Sequence, residues 1–320
     1  MHLVQVIQVV QIWVVKEYIK FKGEYMKKFF SVLVLALVLA LPSFALSVPS
    51  THLVSGSWLT KNAKNVVIVD VSTPKVFAKG HIPGAVNIPK KLFFEGYFGS
   101  IKHLLDTPFQ IEKLFRNAGI NNNSTVIFVA HVKRSVRYTD MTRAFWSAWV
   151  YGMKNIAILD GGIEAWNGGL TTAMPMVKRG NFKATTNLNN SVKTWKNVYD
   201  ALMNKSYQLV DAREMKHYIG KDKDPRLARH GHIPGAIKVS AYLFAKKDGK
   251  LFKLVSPAVA KAMVRKDGVP LNKPIITYCN TGHLATGTWF VLKFLVGVKN
   301  VGDYDASMFA YSRTSLPIAR

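Results

Sequence analysis

Residues 80–85 read Gly-His-Ile-Pro-Gly-Ala, and residues 231–236 repeat Gly-His-Ile-Pro-Gly-Ala letter for letter. Each copy follows an apolar run that ends in Asp, Val66 to Asp70 in one case and Tyr207 to Asp211 in the other. A second apolar run comes after each copy, Val126 to Ala130 and Ile275 to Cys279, then a helix-length segment, then a short run from Asn155 or Asn300. Short β-branched runs alternating with helix-length segments read as βαβ units on a parallel sheet. The chain is therefore one α/β unit written twice. Within the repeated hexapeptide, Pro83-Gly84 and Pro234-Gly235 suit a type II turn, Pro fixing φ at the first central position and Gly taking positive φ at the second. His81 and His232 are expected to pack and hydrogen-bond so as to hold that turn. Between the copies, Met176 to Ser191 is polar and Asn-rich and is expected to run over the surface as a linker.

The 320 residues suffice for two ordinary domains, each with its own core. Hydrophobic residues make up 49% and charged residues 19%, which excludes wholesale disorder. There are 44 Lys and Arg against 18 Asp and Glu, a formal net charge of +26. Such an excess favours anions as partners. It is spread along the chain, with no basic tract, aromatic RNA-binding pair or zinc-finger spacing, so nucleic acid is not the expected partner. A single cysteine excludes a disulfide framework, a CxxC redox pair and a cysteine-rich zinc site. From Met26, two lysines precede the apolar run Phe29 to Leu41, Pro42 breaks it, and Ser43-Phe44-Ala45 carries small residues where a signal peptidase reads. This is the pattern of a secretory signal peptide, shorter than the roughly 18–20 apolar residues of a membrane span. Met26 is then the expected start, residues 1–45 a leader, and the exported protein periplasmic or secreted with no lasting membrane span. The two units are expected over residues 46–180 and 190–320.

Cys279 closes an apolar strand-like run, and Asn280-Thr281-Gly282-His283-Leu284-Ala285 curls from it into a helix-length segment. A thiol there faces converging backbone N–H groups and the positive end of a helix, which stabilise negative charge, lower a thiol pKa and favour the nucleophilic thiolate. Open α/β sheets also place ligands at the carboxyl ends of their strands. Aligning Asn155 with Asn300 puts Ala130 where Cys279 stands, so the first copy lacks a thiol. Its longer loop carries Lys133, Arg134 and Arg137, which either lie in solvent or face the second unit and help neutralise an anion.

Taken together, the doubled hexapeptide, Leu159-Asp160-Gly161-Gly162-Ile163-Glu164-Ala165-Trp166 and Tyr278-Cys279-Asn280-Thr281-Gly282-His283 resemble the rhodanese family of sulfurtransferases, in the tandem form that uses thiosulfate or 3-mercaptopyruvate. The resemblance spans about residues 50–320. It implies two rhodanese-like domains, each a parallel sheet of about five strands flanked by helices, the first inactive and the second catalytic. It also implies a cycle without metal or organic cofactor. Cys279 would attack the outer sulfur of thiosulfate, release sulfite and hold a persulfide, which cyanide or a thiol then takes. The loop amides of Asn280 to Ala285 would cradle that persulfide. His217 stands where the family binds the donor anion, Arg213 either joins it in binding substrate or is structural, pairing with Asp211 or a loop carbonyl, and Arg226, Arg229 and His230 are further anion-binding candidates. Thr281 replaces a basic residue common in the thiosulfate type, and Asn280 replaces a Gly common in the mercaptopyruvate type, so mercaptopyruvate remains an alternative donor. A second alternative is a carrier that passes its persulfide sulfur to a protein acceptor without turnover. Phosphatase chemistry on this fold needs an Arg six positions after the Cys, where Ala285 stands here.

Overall fold

A computed structural model describes residues 46–185 and 190–320, so the expected leader lies outside the described residues. Two parallel five-stranded sheets carry the fold. The first has the order β1 (Leu53–Val54), β7 (Ile156–Leu159), β6 (Val126–Val129), β2 (Val67–Asp70), β3 (Val86–Asn87). The second is ordered β10 (Ile237–Lys238), β9 (Gln208–Asp211), β13 (Ile275–Tyr278), β14 (Val301–Tyr304), β8 (Val192–Lys193). Each sheet is therefore parallel and flanked by helices, as the alternating runs predict. The central strands β6, β7, β13 and β14 are buried along their whole length. That is why they read as unbroken apolar runs rather than as alternating ones.

Side chains on the two faces of each sheet enter different cores, with the period of two that a strand imposes. In the first sheet Ile68, Ile127, Val129, Ala157 and Leu159 pack on one side, while Val69, Val126, Phe128, Ile156 and Ile158 pack on the other. The second sheet sends Leu209, Ile276, Tyr278 and Tyr304 into a core of its own. Val210, Ile275 and Val301 instead join the same core as Val69 and Phe128. One continuous core thus runs from sheet to sheet. Helices α4 (Tyr138–Val150) and α8 (His283–Phe290) bring it together, with Phe145 edge-on to Phe290 at 5.1 Å. Their faces are built from small and aromatic residues, and Thr142 and Thr286 share a buried hydrogen bond of 3.2 Å.

The halves also embrace reciprocally. Each sends out an antiparallel hairpin, β4 (Gly96–Phe98) with β5 (Ile101–Leu104) and β11 (Ala245–Asp248) with β12 (Leu251–Leu254). The Leu105 N–H, just past β5, donates to Asp305 Oδ2 of the second half at 2.5 Å. The Leu254 N–H, at the end of β12, donates to Asp160 Oδ1 of the first at 2.9 Å. Asp160 and Asp305 occupy the same place in the repeat, one residue past β7 and β14.

The repeated hexapeptide forms the turn its sequence requires. Gly84 and Gly235 have φ of 80° and 77°, and Ala85 and Ala236 N–H groups bond back to Ile82 and Ile233 carbonyls. His81 stacks on Phe77 at 3.7 Å and bonds the Phe77 and Ala173 carbonyls. His232 stacks on Tyr218 at 3.6 Å and bonds its carbonyl. Both histidines hold turns, as expected. The described part of the linker runs over the surface as expected, with residues 176–179 exposed, but it is also anchored. Phe182 is fully buried in the first core, and Gly180, Asn181, Phe182 and Lys183 donate backbone hydrogen bonds to the segment Arg116–Asn122. A single aromatic in a polar stretch was enough to pin it down.

Arg143, on α4, is wholly buried between the halves. Its Nη1 donates to Asp305 Oδ1 at 2.5 Å and to the Gly282 carbonyl at 3.4 Å, and its Nε donates to the Phe93 carbonyl at 3.0 Å. Arg143→Met should cost about 3–5 kcal/mol, because it leaves the Asp305 carboxylate buried with its ion pair gone. Urea denaturation measures this, and a loss below about 1 kcal/mol would show that the pair is not holding the halves.

Candidate active site

The carboxyl ends of β9 and β13 lie side by side, with Asp211 in register with Tyr278. Cys279 follows Tyr278 at that edge. In the first sheet Asp70 is in register with Val129, and Ala130 follows, so the structure pairs Ala130 with Cys279 as the repeat predicts.

The Cys279 sulfur is ringed by small apolar side chains, Ala212, Ala241 and Ala285. Backbone N–H groups of Ala285, Thr281 and Leu284 lie close enough to favour its charged form. The loop is shaped for this by what stands behind it. Ser307 Oγ accepts the N–H of Cys279 and of Gly282, each at 3.0 Å, and donates to the Tyr304 carbonyl at 2.9 Å. Gly282 has φ of 73°, and a Cβ there would lie 2.4 Å from Asp305 Oδ1, so glycine is required on both counts. The Met308 and Phe309 N–H groups bond the Cys279 and Asn280 carbonyls. With its carbonyls and side-chain anchors turned to this support, the loop keeps three amides for the sulfur.

The expected lowering of the thiol pKa is not met. Only 1% of the Cys279 surface reaches solvent, because the loop closes over it and alanines fill its flanks. Burial, with Asp303 adding its charge, pushes the Cys279 thiol up, and the three amides only partly offset this. Asp303 itself is fully buried on β14, bonded to Thr277 Oγ1 at 2.8 Å with Oδ2 unpartnered among the described residues. Burial drives it strongly toward the neutral acid. A neutral Asp303 does not repel a thiolate, so desolvation of the sulfur is the dominant cause of the upward shift.

The expected site residues divide. Asn280 to Ala285 form the cradle. Arg213 lies directly beneath it but is 1% exposed and committed elsewhere. Its Nε and Nη2 form a bidentate pair with Asp211, at 2.9 and 2.6 Å, Nη2 also donates to the Gly231 carbonyl, and Nη1 donates to Asn280 Oδ1 at 3.1 Å. Asn280 Nδ2 in turn donates to Asp224 Oδ2 at 2.6 Å, and Asp224 holds Arg226 in a second bidentate pair. Arg213 is thus a buried brace, and Asn280, in place of a glycine, is the link between two ion pairs. His217 has Asp222 3.7 Å from its Nε2, and its buried Nδ1 has no hydrogen-bond partner among the described residues. Arg229 bonds the carbonyls of Ser312, Thr314 and Leu316, and His230 bonds that of Asp224. Arg226 keeps an exposed face and, with Tyr242, lies near enough to the sulfur to feel its charge.

The sequence did not reveal how much the first half contributes. Asp140 of α4 sits 3.1 Å from His283 Nε2 and 2.7 Å from Lys90 Nζ. Burial opposes ionisation of Asp140, yet the His283 N–H and the Lys90 charge hold its carboxyl down at about 2. His283 is itself pushed down by burial, against the pull of Asp140, so at neutral pH it is a neutral donor rather than a cation. Arg134 and Arg137 line the same pocket of about 450 Å³ as His283, Leu284 and Tyr242. Arg134 and Arg137 of the first-half basic loop therefore face the second half, whereas Lys133 does not line this pocket. Ser307 and Asp305 were also missed. Their signal was the alignment of Asp305-Ala306-Ser307 with Asp160-Gly161-Gly162, where Ser307 keeps the positive φ of Gly162, 49° against 68°.

Comparison with known proteins agrees with this geometry. The model of the rhodanese-like domain matches residues 56–168 and again 194–314, and the chain belongs to that family. A Synechococcus elongatus protein named "Putative thiosulfate sulfurtransferase" is 31% identical, over 89% of this chain and 92% of its own. The mouse thiosulfate sulfurtransferase is 28% identical, over 85% and 88%. A solved structure of Escherichia coli SseA, described as a 3-mercaptopyruvate sulfotransferase, superposes with a TM-score of 0.69 at 25% identity, over 80% of this chain and 98% of that one.

Since the thiol is pushed up, iodoacetamide should alkylate native Cys279 faster with rising pH, with no plateau below pH 9. A plateau near neutrality would mean that the amides outweigh burial after all. Complete inertness at every pH would mean that the sulfur is sealed in.

Proposed function

We propose that this protein is a thiosulfate sulfurtransferase that works through a persulfide on Cys279. The observation that carries this reading is a lone thiol just past the carboxyl end of β13, walled by Ala212, Ala241 and Ala285 and followed by a loop whose Thr281, Leu284 and Ala285 amides favour its charged form. A resting thiol makes little use of three donors. An anionic sulfur bonded to it makes full use of them, because preorganised N–H groups in a dry site stabilise charge that develops during a reaction.

In the first step the deprotonated Cys279 sulfur attacks the outer sulfur of thiosulfate. A new S–S bond forms as the bond between the outer and central sulfurs breaks, and its electron pair leaves with sulfite. Cys279 then bears the transferred sulfur, which is anionic when ionised. In the second step cyanide or a thiolate attacks that terminal sulfur, the S–S bond breaks toward Cys279, and the thiolate returns. No electron is left over: Cys279 is the nucleophile of the first step and the leaving group of the second, in which cyanide or the acceptor thiolate is the nucleophile. Lys90, Arg134, Arg137 and Arg226 provide positive potential around the approach, which draws an anionic donor inward. Thiosulfate is favoured over mercaptopyruvate by the names of the relatives with the greater identity. The likeness to SseA makes mercaptopyruvate the donor to compare.

Cys279→Ser should lower steady-state thiocyanate formation from thiosulfate and cyanide by roughly a thousandfold or more. Wild-type protein given thiosulfate alone should gain one sulfur atom by intact-mass spectrometry. Turnover that survives Cys279→Ser would overturn the reading. Uptake of one sulfur with no turnover would identify a carrier that serves a protein acceptor, and a larger kcat/KM with mercaptopyruvate would reassign the donor.

We further propose that the protein is exported, on the strength of Lys27-Lys28, the apolar run to Leu41 and the small residues before Leu46. No helix among the described residues is long and apolar enough to cross a membrane. Amino-terminal sequencing of the native protein should begin at or near Leu46. A mature protein that retains Met1 or Met26 would contradict export by this signal.

A further inference from the structure

The first half has a cavity of its own at the place that corresponds to the cradle. It encloses about 600 Å³ at the carboxyl ends of β2 and β6, with Ala130 in it where the second half has Cys279. Lys79, Lys90, Lys133, Arg134 and Arg137 line it, and Asp140 is the one carboxylate among the described residues that do. Lys90 and Arg137 are engaged by Asp140, at 2.7 and 3.2 Å. Lys79, Lys133 and Arg134 have no ion-pair partner among the described residues. The floor is different in kind, with Val71, Val76, Ala130 and Leu170.

Arg213 explains why this cavity is open. In the second half its guanidinium fills the space beside Asp211 and satisfies both carboxylate oxygens. Ser72 stands at the matching position of the first half. Its N–H reaches Asp70 Oδ1 at 2.8 Å, and the buried Asp70 Oδ2 is left without a hydrogen-bond partner among the described residues. The exchange of Arg for Ser removes the brace, and Ser72 becomes part of the cavity wall.

We infer that this first-half cavity is a binding site for a small organic polyanion, a molecule with an apolar body and two or more carboxylate, phosphate or sulfonate groups. Five cationic side chains around one concavity repel one another, and a bound anion relieves that repulsion. A bare inorganic oxyanion would fill only a small part of the space, since a water molecule accounts for about 30 Å³ of liquid. It would also leave the apolar floor uncovered. The volume falls within the range of small-molecule sites, which are likewise apolar inside with a few polar groups to set orientation. No nucleophile stands at Ala130, so the site holds its ligand without turning it over.

Lys79 and Lys133 line this cavity but not the pocket over the cradle, which makes them the residues to change. Both are exposed, so the double variant Lys79→Glu/Lys133→Glu should fold, with an unchanged circular dichroism spectrum as the check. Isothermal titration of the full chain with benzene-1,3-disulfonate and with benzene-1,3,5-tricarboxylate serves as the probe. The wild type should bind at least one of them at a single site that weakens as salt rises. The double variant should bind at least about tenfold more weakly, while thiosulfate-to-cyanide turnover stays at the wild-type rate. Failure of both probes to bind the wild type, or equal binding by the double variant, would overturn the inference. Absence of turnover in every chain would instead overturn the sulfur-transfer reading and leave this one standing.

Discussion

The buried guanidinium of Arg143 is the constraint on which the arrangement depends. It comes from the half without a thiol, yet it bonds the carbonyl of Gly282 within the cradle and the carboxylate of Asp305 behind it. Asp305 also receives the Leu105 amide from the first-half hairpin, and its backbone crowds Gly282 into a conformation only glycine accepts. Take the guanidinium away and the support of the cradle loses its charge balance at the point where the loop turns. A buried ion pair of this kind is weak evidence for stability as such, but its geometry fixes one arrangement out of many. The thiol-free half is therefore not a vestige. It is the frame against which the loop is set.

Much of this was legible in the sequence, and the reasons are local. The doubled Pro-Gly turn fixes its own φ values, and strands buried on both faces announce themselves as unbroken apolar runs. Registering Ala130 with Cys279 needed only the repeat. What the sequence could not give was competition between partners. Arg213 reads equally as an anion ligand or as a structural partner of Asp211 until Asp211, Gly231 and Asn280 are seen to use nearly all of its donors. Thiol acidity reads as lowered when only the helix end and the loop amides are counted. Burial of the sulfur is a property of packing, and here it outweighs them. The hold of Asp140 on His283 joins residues from opposite halves of the chain, a pairing that no local pattern announces.

The two halves show what one fold does with and without a brace. Where Arg213 fills the space beside its Asp, the strand ends are sealed and the loop amides are turned onto a single sulfur. In the first half Ser72 leaves that space open, and the surrounding lysines and arginines face a cavity instead. The net positive charge of the chain is thus not featureless. Part of it is gathered along one face, where Lys90, Arg134 and Arg137 border both the first-half cavity and the pocket over the cradle. Cations placed there raise the local concentration of anions at both sites.

The cradle amides serve to hold an anionic sulfur beyond Cys279. The most direct measurement is the amide proton spectrum of selectively labelled protein before and after loading with thiosulfate. On this account the Thr281, Leu284 and Ala285 amide protons move downfield together as stronger hydrogen bonds form to the added sulfur, while amides remote from the loop stay in place. If the protein takes up one sulfur and these three resonances do not move, the cradle is not what stabilises it, and the account fails.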